Sequence, residues 1–143
     1  MNTQKTQLKA LEDVKVSLKV KIATLWTSLM FLIIYIDYFH LYMPGKIEDI
    51  LKGRVFEFAI TQGFLLVALA SVTIPALMIF LSVALPAKAN RLTNIIVAIV
   101  QIPYMLFNLA GEAWMHMLFG ALVEIVLLCL IIRYAWKWPR IET

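Results

Sequence analysis

The residues of this 143-residue chain best suited to chemistry are two carboxylic acids inside long apolar stretches. Asp37 lies near the end of the first stretch, and Glu124 lies in the middle of the last. An ionisable side chain at membrane depth is costly to expose to lipid, so it normally faces the protein interior and meets a proton, a ligand or a polar partner. We therefore expect Asp37 and Glu124 to face inward.

Further polar side chains recur near these carboxyls at helical spacing. His116, Gly120 and Glu124 are each four residues apart and would share one helix face, while His40 follows Asp37 on the same face of its helix. The full candidate set for ligand binding is Asp37, Glu124, Asn108, Gln101, Tyr104, Gln62, His40 and His116. In antiparallel helices these groups fall mostly in one half of the bundle, which predicts an internal polar pocket that opens outward. The inner half offers little beyond Ser and Thr.

Three classes of function fit this pattern. The first is a binding module for a small molecule or lipid, which would use the pocket around Asp37, Asn108 and Glu124. The second is a membrane enzyme or proton-coupled carrier in which Asp37 or Glu124 titrates. The third is a structural partner of another membrane protein, in which the carboxyls serve as hydrogen-bond glue between helices. Gly111 and Gly120 are not spaced as a GxxxG motif, so the sequence carries no signal for self-association. A homo-oligomer is kept as an alternative.

Motifs for metals and cofactors are missing from the sequence. The two histidines lack the spacing of a metal site, and the single cysteine, Cys129, is expected to be an apolar packing residue. No motif for haem, flavin or an iron–sulfur cluster is present, so no cofactor is evident. The net charge of +4 does not indicate nucleic acid, because the basic residues lie at the ends of the apolar stretches.

The elements that position these residues are four apolar stretches, each long enough to cross a hydrocarbon layer of about 30 Å as a helix. Hydrophobic residues make up 62% of the chain, well above the level of a soluble domain. We therefore predict an all-α fold, an integral membrane bundle of four transmembrane helices. The spans are placed at about 22–43, 58–85, 92–110 and 114–136 within a domain of residues 22–138. Residues 1–21 and 139–143 are predicted to be cytoplasmic tails, the first suited to lying on the inner leaflet.

Charge sets the predicted orientation. Ten of the thirteen basic residues would lie on one side of the membrane: Lys5, Lys9, Lys15, Lys19, Lys21, Lys88, Arg91, Arg133, Lys137 and Arg140. The other three, Lys46, Lys52 and Arg54, lie in the first connection. Short loops rich in Lys and Arg stay in the cytoplasm, so both termini are predicted to lie on the cytoplasmic side. The membrane is predicted to be the plasma membrane. In the same connection, residues 46–52 predict a short interfacial helix or, alternatively, a solvated hairpin.

Several segments resemble a known family. They are residues 24–26 (TLW), 34–37 (IYID), 74–82 (IPALMIFLS), 89–91 (ANR), 94–96 (NII), 123–125 (VEI) and 134–139 (YAWKWP). Together they resemble an uncharacterised family of small prokaryotic four-span proteins, known only as a domain of unknown function. The resemblance implies four helices and again points to Asp37 and Glu124. The chain departs from that pattern at Thr73, where similar sequences often have a glutamate, and this weakens a proton- or cation-linked role. The layout is also, more loosely, similar to DoxX-like proteins, some of which are linked to quinone redox chemistry.

Overall fold

The computed structural model describes residues 13–110 and 113–139, and most of them are helical. The elements in chain order are α1 (Leu18–His40), α2 (Lys46–Leu51), β1 (Arg54–Val55), β2 (Phe58–Ala59), α3 (Gln62–Ala84), α4 (Ala87–Phe107) and α5 (Met115–Trp136). The four long helices have the length and apolar character needed to cross a membrane. The predicted all-α bundle is therefore confirmed. The distal parts of both tails, with Lys5, Lys9 and Arg140, lie outside the described residues, as does Gly111.

Side-chain caps decide where two of the long helices begin. The Ser17 hydroxyl accepts a hydrogen bond from the amide of Val20 at the start of α1, and Thr61 accepts one from Phe64 at the start of α3. Such caps satisfy amides that have no partner within the helix. The apolar stretch placed at 58–85 is consequently not one helix, since its first residues form strand β2 and Thr61 then starts α3.

The first connection is built from a short helix and a hairpin. Helix α2 lies between Gly45 and Gly53, whose φ angles of 83° and 77° are in the left-handed region that glycine adopts without strain. Strands β1 and β2 pair antiparallel, with Arg54 opposite Ala59 and Val55 opposite Phe58. The predicted short helix in this connection is confirmed by α2.

The long helices pack in the ring order α3, α1, α5, α4. Helix α1 packs extensively on both α3 and α5, and α5 packs on α4, whereas the seam between α3 and α4 is slight. We call the end of the bundle where α1 and α4 begin the basic end, and the end that holds α2 and the strands the hairpin end.

A compact core lies between these helices, and a wide apolar surface surrounds it. Trp26 and Leu29 of α1, Met78 of α3, and Leu128 and Ile131 of α5 are almost completely buried. Large apolar side chains such as Leu66, Phe80 and Phe119 are more than 60% exposed on the outside of the bundle. Lipid tails solvate such a surface, so it suits a protein surrounded by hydrocarbon.

Candidate functional site

A groove opens at the hairpin end, between the end of α1 and the start of α5. It has a volume of about 350 Å³ and is lined by Phe39, Tyr42, Met43, Trp114 and His116. The Trp114 ring lies edge-on to the imidazole of His116, with centroids 6.3 Å apart. Four of its five lining residues are aromatic or methionine side chains, so the groove suits a small, largely apolar molecule.

One polar atom in this groove has no hydrogen-bond partner among residues 13–110 and 113–139. The Nε2 atom of His116 is shielded from solvent, and no group in the described part of the chain hydrogen-bonds to it. A buried polar atom without a partner is uncommon, because it loses its hydrogen bonds to water and gains none in return. His116 therefore offers a donor or an acceptor to whatever enters the groove.

The rim of the groove is fixed by two tyrosines. The hydroxyls of Tyr38 and Tyr42 lie 2.6 Å apart, and their rings meet edge to face at 5.3 Å. The hydrogen bond between the two hydroxyls raises the pKa of Tyr42 above its ordinary value, helped by the charge of Tyr38 and by slight burial. Tyr42 therefore stays neutral at physiological pH and presents a polar but uncharged edge.

The structure brings the two carboxyls together, but only Glu124 is enclosed. Glu124 is 4% exposed and lies two turns deeper than His116 on α5, whereas Asp37 is exposed in the last turn of α1. Asp37 therefore lies at the rim of the bundle, three residues before α1 ends, and not in the enclosed core. Asp37 nevertheless lies near enough to Glu124 for the two groups to interact electrostatically.

A close contact between α1 and α5 separates the groove from Glu124. Gly120 lies one turn from both His116 and Glu124, and the Ile36 side chain fills the space that a Cβ at Gly120 would occupy. A Cβ built there would lie only 2.8 Å from Ile36 Cγ1. Small residues allow membrane helices to approach closely in this way. We call the level of the bundle that holds Glu124 and Asp37 the carboxyl layer. Ile36 thus forms a partition between the groove and this layer.

Two further candidates lie inside the bundle on α4. Gln101 is buried, about 21 Å along α4 from its start at 1.5 Å per residue. Glu124 lies about 18 Å from the end of the neighbouring α5 on the same scale. Tyr104 instead crosses the slight α3–α4 seam, where its hydroxyl lies 2.9 Å from the hydroxyl of Ser71. Gln101 therefore belongs to the layer of Glu124, while Tyr104 ties α4 to α3.

The other candidates lie outside the groove. Gln62 and Asn108 are exposed, at the first residue of α3 and the residue that ends α4. His40 packs its ring against Phe56 of the hairpin at 5.0 Å and does not line the groove. Within residues 13–110 and 113–139, no cluster of His, Cys, Asp or Glu has the arrangement of a metal site. Cys129 is exposed on the bundle surface, so its expected role in core packing is wrong.

The most extensive buried polar network was not anticipated, and it lies toward the basic end. Asn94 Oδ1 accepts hydrogen bonds from Trp26 Nε1 at 2.6 Å and from Ser82 Oγ at 3.1 Å. Asn94 Nδ2 donates to Asn90 Oδ1 at 2.6 Å, and Asn90 Nδ2 donates to the Ser82 carbonyl oxygen at 2.5 Å. The expectation that the inner half has few polar groups is therefore wrong. The i, i+4 spacing of Asn90 and Asn94 was the available signal.

Lys19 strengthens the same end of the bundle. Its Nζ donates to the carbonyl oxygens of Val83 at 3.1 Å and Leu85 at 2.6 Å, where α3 ends. A helix leaves its last carbonyls without intrahelical partners, and a cation there also complements the helix dipole. Lys19, predicted as part of a cytoplasmic tail, is thus a residue of α1 that caps α3.

Comparison with known proteins identifies a family but no activity. The model of a family of unknown function, DUF6326, matches residues 11–143, so the chain belongs to that family. No curated protein matches the chain. No solved structure matches it either.

Proposed function

We propose that this protein is a membrane module that binds a small, mostly apolar molecule in the groove between α1 and α5. The observation that supports this most directly is the shielded Nε2 of His116, which has no partner among the described residues and lies in an otherwise apolar groove. A ligand whose apolar body packs on Phe39 and Trp114, and whose polar group meets His116, would satisfy both properties of the groove.

The carboxyl layer beneath the groove favours a cationic or hydrogen-bond-donating group on that molecule. Glu124 and Asp37 interact with each other, and neither forms an ion pair with a Lys or Arg of the described segments. Glu124 is buried, and a buried carboxylate is costly unless it is neutralised or hydrogen-bonded, so a cation, a proton or a hydrogen-bond donor beside it is favoured. A donor group of the ligand that reaches past Ile36 would supply that partner to Glu124.

Native mass spectrometry of the purified full-length protein tests this proposal. We expect wild type to retain a discrete small molecule and His116→Phe to lose most of it, because the imidazole that lines the groove is removed. Glu124→Gln should weaken retention, because it removes the negative charge that a donor group reaching past Ile36 would meet. His40→Phe and Glu57→Gln are the matched controls, because His40 packs against the hairpin and Glu57 pairs with Arg54 at the exposed surface. Both controls should retain the molecule.

Two outcomes would contradict the binding proposal. If wild type and all four variants are free of any bound molecule, the polar groups serve as contacts between helices or with another membrane protein. If a molecule is present but His116→Phe and His40→Phe retain it equally, the groove is not its site.

A second candidate is a proton-coupled carrier or membrane enzyme, supported by the position of Glu124 next to Asp37. Its distinguishing result is a Glu124→Gln variant that keeps the bound molecule but no longer transports or converts it. A quinone-linked accessory role of the DoxX-like kind is a narrower form of this candidate. Its support is the four-helix layout alone, which does not define a function.

We further infer a multi-pass protein of a prokaryotic plasma membrane with both termini in the cytoplasm. The helix order supports this orientation, because it gathers Lys15, Lys19, Lys21, Lys88, Arg91, Arg133 and Lys137 at the basic end. Of the basic residues that the structure describes, only Lys46, Lys52 and Arg54 lie at the hairpin end. Cytoplasmic loops are enriched in Lys and Arg, which makes the basic end the cytoplasmic one.

Cysteine labelling of intact cells checks the orientation. In a Cys129→Ala background, we expect Lys52→Cys to react with a membrane-impermeant maleimide added outside. Asp13→Cys should react only after the membrane is permeabilised. Both positions are exposed in the structure, so access to the reagent depends on the side of the membrane. The opposite labelling pattern would reverse the assigned orientation.

A further inference from the structure

A second groove lies at the basic end, between the start of α4 and the end of α5. It has a volume of about 420 Å³ and is lined by Ala87, Lys88, Arg91, Leu92, Ile95, Trp136, Trp138 and Pro139. It is far from the His116 groove, which lies at the opposite end of α5. The two sites therefore do not share a lining residue.

The lining of this groove changes from charged to apolar along α4. Lys88, Arg91, Leu92 and Ile95 have the i, i+3, i+4, i+7 spacing of one helix face. The two cations lie nearest the start of the helix, and the two aliphatic residues lie further along it toward the middle of the bundle. A ligand that fits both parts has an anionic head and an apolar tail.

Arg91 is positioned by Trp136, and its Nε–H donor has no hydrogen-bond partner among the described residues. Its guanidinium carbon lies 5.6 Å from the centre of the Trp136 ring, a cation–π contact that positions the charge without using an N–H group. The Nε atom is shielded from solvent and has no hydrogen-bond partner in the segments that the structure describes. Arg91 lines the groove, and guanidinium N–H groups pair readily with phosphate oxygens, so this arginine suits a phosphate ligand.

Two further features favour a lipid as the source of that phosphate. Helix α4 begins directly after Pro86 without a side-chain cap, so the positive end of its dipole also favours an anion at this end. Trp136 and Trp138 lie at the level where α5 ends, and tryptophan is enriched at the boundary between headgroups and hydrocarbon. No acidic side chain lines the groove among the described residues.

We propose that the groove formed by Lys88, Arg91, Trp136 and Trp138 binds the phosphate headgroup of an anionic phospholipid, with an acyl chain along Leu92 and Ile95. This site is independent of the proposed small-molecule groove. It is also a defined contact, in contrast to the diffuse attraction of basic residues to an anionic leaflet.

The proposal is tested with full-length protein in nanodiscs that contain phosphatidylcholine and a small fraction of phosphatidylglycerol. Native mass spectrometry would measure how much of each lipid stays bound to the released protein. We expect wild type to retain phosphatidylglycerol preferentially. Arg91→Gln should reduce that retention roughly tenfold, the effect of losing a charge-assisted hydrogen bond.

Arg133→Gln is the matched control, because Arg133 is exposed in the last turn of α5 at the same end but does not line the groove. Lys88→Gln, at an exposed position, keeps the test usable if Arg91→Gln does not fold, and it should lower retention in the same direction. Equal losses for Arg133→Gln and the groove variants would overturn the proposal in favour of diffuse attraction. So would equal retention of both lipids by wild type, or displacement of phosphatidylglycerol by millimolar inorganic phosphate, which would indicate a site for free phosphate.

Discussion

Replacing Asn94 with leucine is expected to lower the free energy of unfolding by about 2–3 kcal/mol, although the two side chains are similar in size. Asn94 makes four hydrogen bonds, to Trp26, Ser82 and both oxygens of Asn90. Two of these bonds, to Trp26 and Ser82, cross to other helices. Hydrogen bonds between membrane helices average about 0.6 kcal/mol each, which gives about 1 kcal/mol for the two. The remainder comes from the indole N–H of Trp26, which is left without a partner in a completely buried position.

Reversible unfolding in mixed micelles with increasing SDS, followed by tryptophan fluorescence and circular dichroism, measures this change. Asn108→Leu is the matched control, since Asn108 is exposed where α4 ends and should change the unfolding free energy by less than about 0.5 kcal/mol. An Asn94→Leu protein as stable as wild type would show that the network is not a stabilising contact of the bundle.

A cycle with Trp26→Phe distinguishes the direct bond from general disruption. Trp26→Phe removes the donor to Asn94 but keeps an aromatic ring in the core between α1 and α4. If the bond accounts for part of the loss, the double variant should be more stable than the sum of the two single losses predicts. Strict additivity would mean that Trp26 and Asn94 stabilise the bundle separately.

The number and order of the long helices were predictable because apolar length is a strong signal. A helix needs about 20 apolar residues to cross a membrane, and each of the four stretches meets this requirement. The short helix α2 was one of two alternatives for its segment, favoured by the apolar face of Ile47, Ile50 and Leu51 and by Gly53 after it, with a solvated hairpin as the other. These features depend on local sequence, which is why they could be derived without the packing.

The helix ends were less predictable, and this hid the most connected polar residues. Hydropathy started the third span at Leu92, which left Asn90 in a loop and Asn94 at the boundary. In the structure α4 begins at Ala87, so both asparagines lie inside the bundle and bond to Ser82 and Trp26. Where a helix starts depends on caps and on partners in other helices. Hydropathy does not contain that information.

The sequence predicted which candidate residues share a helix face, but it did not predict the direction in which that face points. His116, Gly120 and Glu124 do follow one face of α5, toward α1. Asp37 and Asn108 lie at positions that turn out to be exposed, because α1 and α4 end close to them. Spacing fixes which residues share a face, whereas only the packing of neighbouring helices fixes the direction of that face. The groove itself could not be inferred, since Phe39 and Trp114 come from distant parts of the chain.

Replacing Gly120 with leucine is expected to have the other large effect, a loss of about 3 kcal/mol in unfolding free energy. The Ile36 side chain already fills the space beside Gly120, so a leucine there must displace that side chain or push α1 and α5 apart. Separation of these helices would also widen the groove at His116 and expose Glu124. The same SDS unfolding measurement applies. Gly63→Leu is the matched control, because a Cβ at Gly63 would meet only the Thr61 hydroxyl, at 3.9 Å.

A second substitution shows whether the contact with Ile36 is the cause. If the loss arises from that clash, adding Ile36→Ala to Gly120→Leu should restore part of the stability, because the shorter side chain makes room for the leucine. In a wild-type background the same Ile36→Ala change should be destabilising, since it leaves a cavity at the α1–α5 contact. This reversal of sign is specific to a close pair. If Ile36→Ala destabilises both backgrounds equally, the stability lost in Gly120→Leu does not arise from the contact with Ile36. The Gly120→Leu, Ile36→Ala double variant can also be tested for ligand binding. If it regains stability but binds the ligand differently from wild type, Ile36 is the residue that separates the groove from the carboxyl layer.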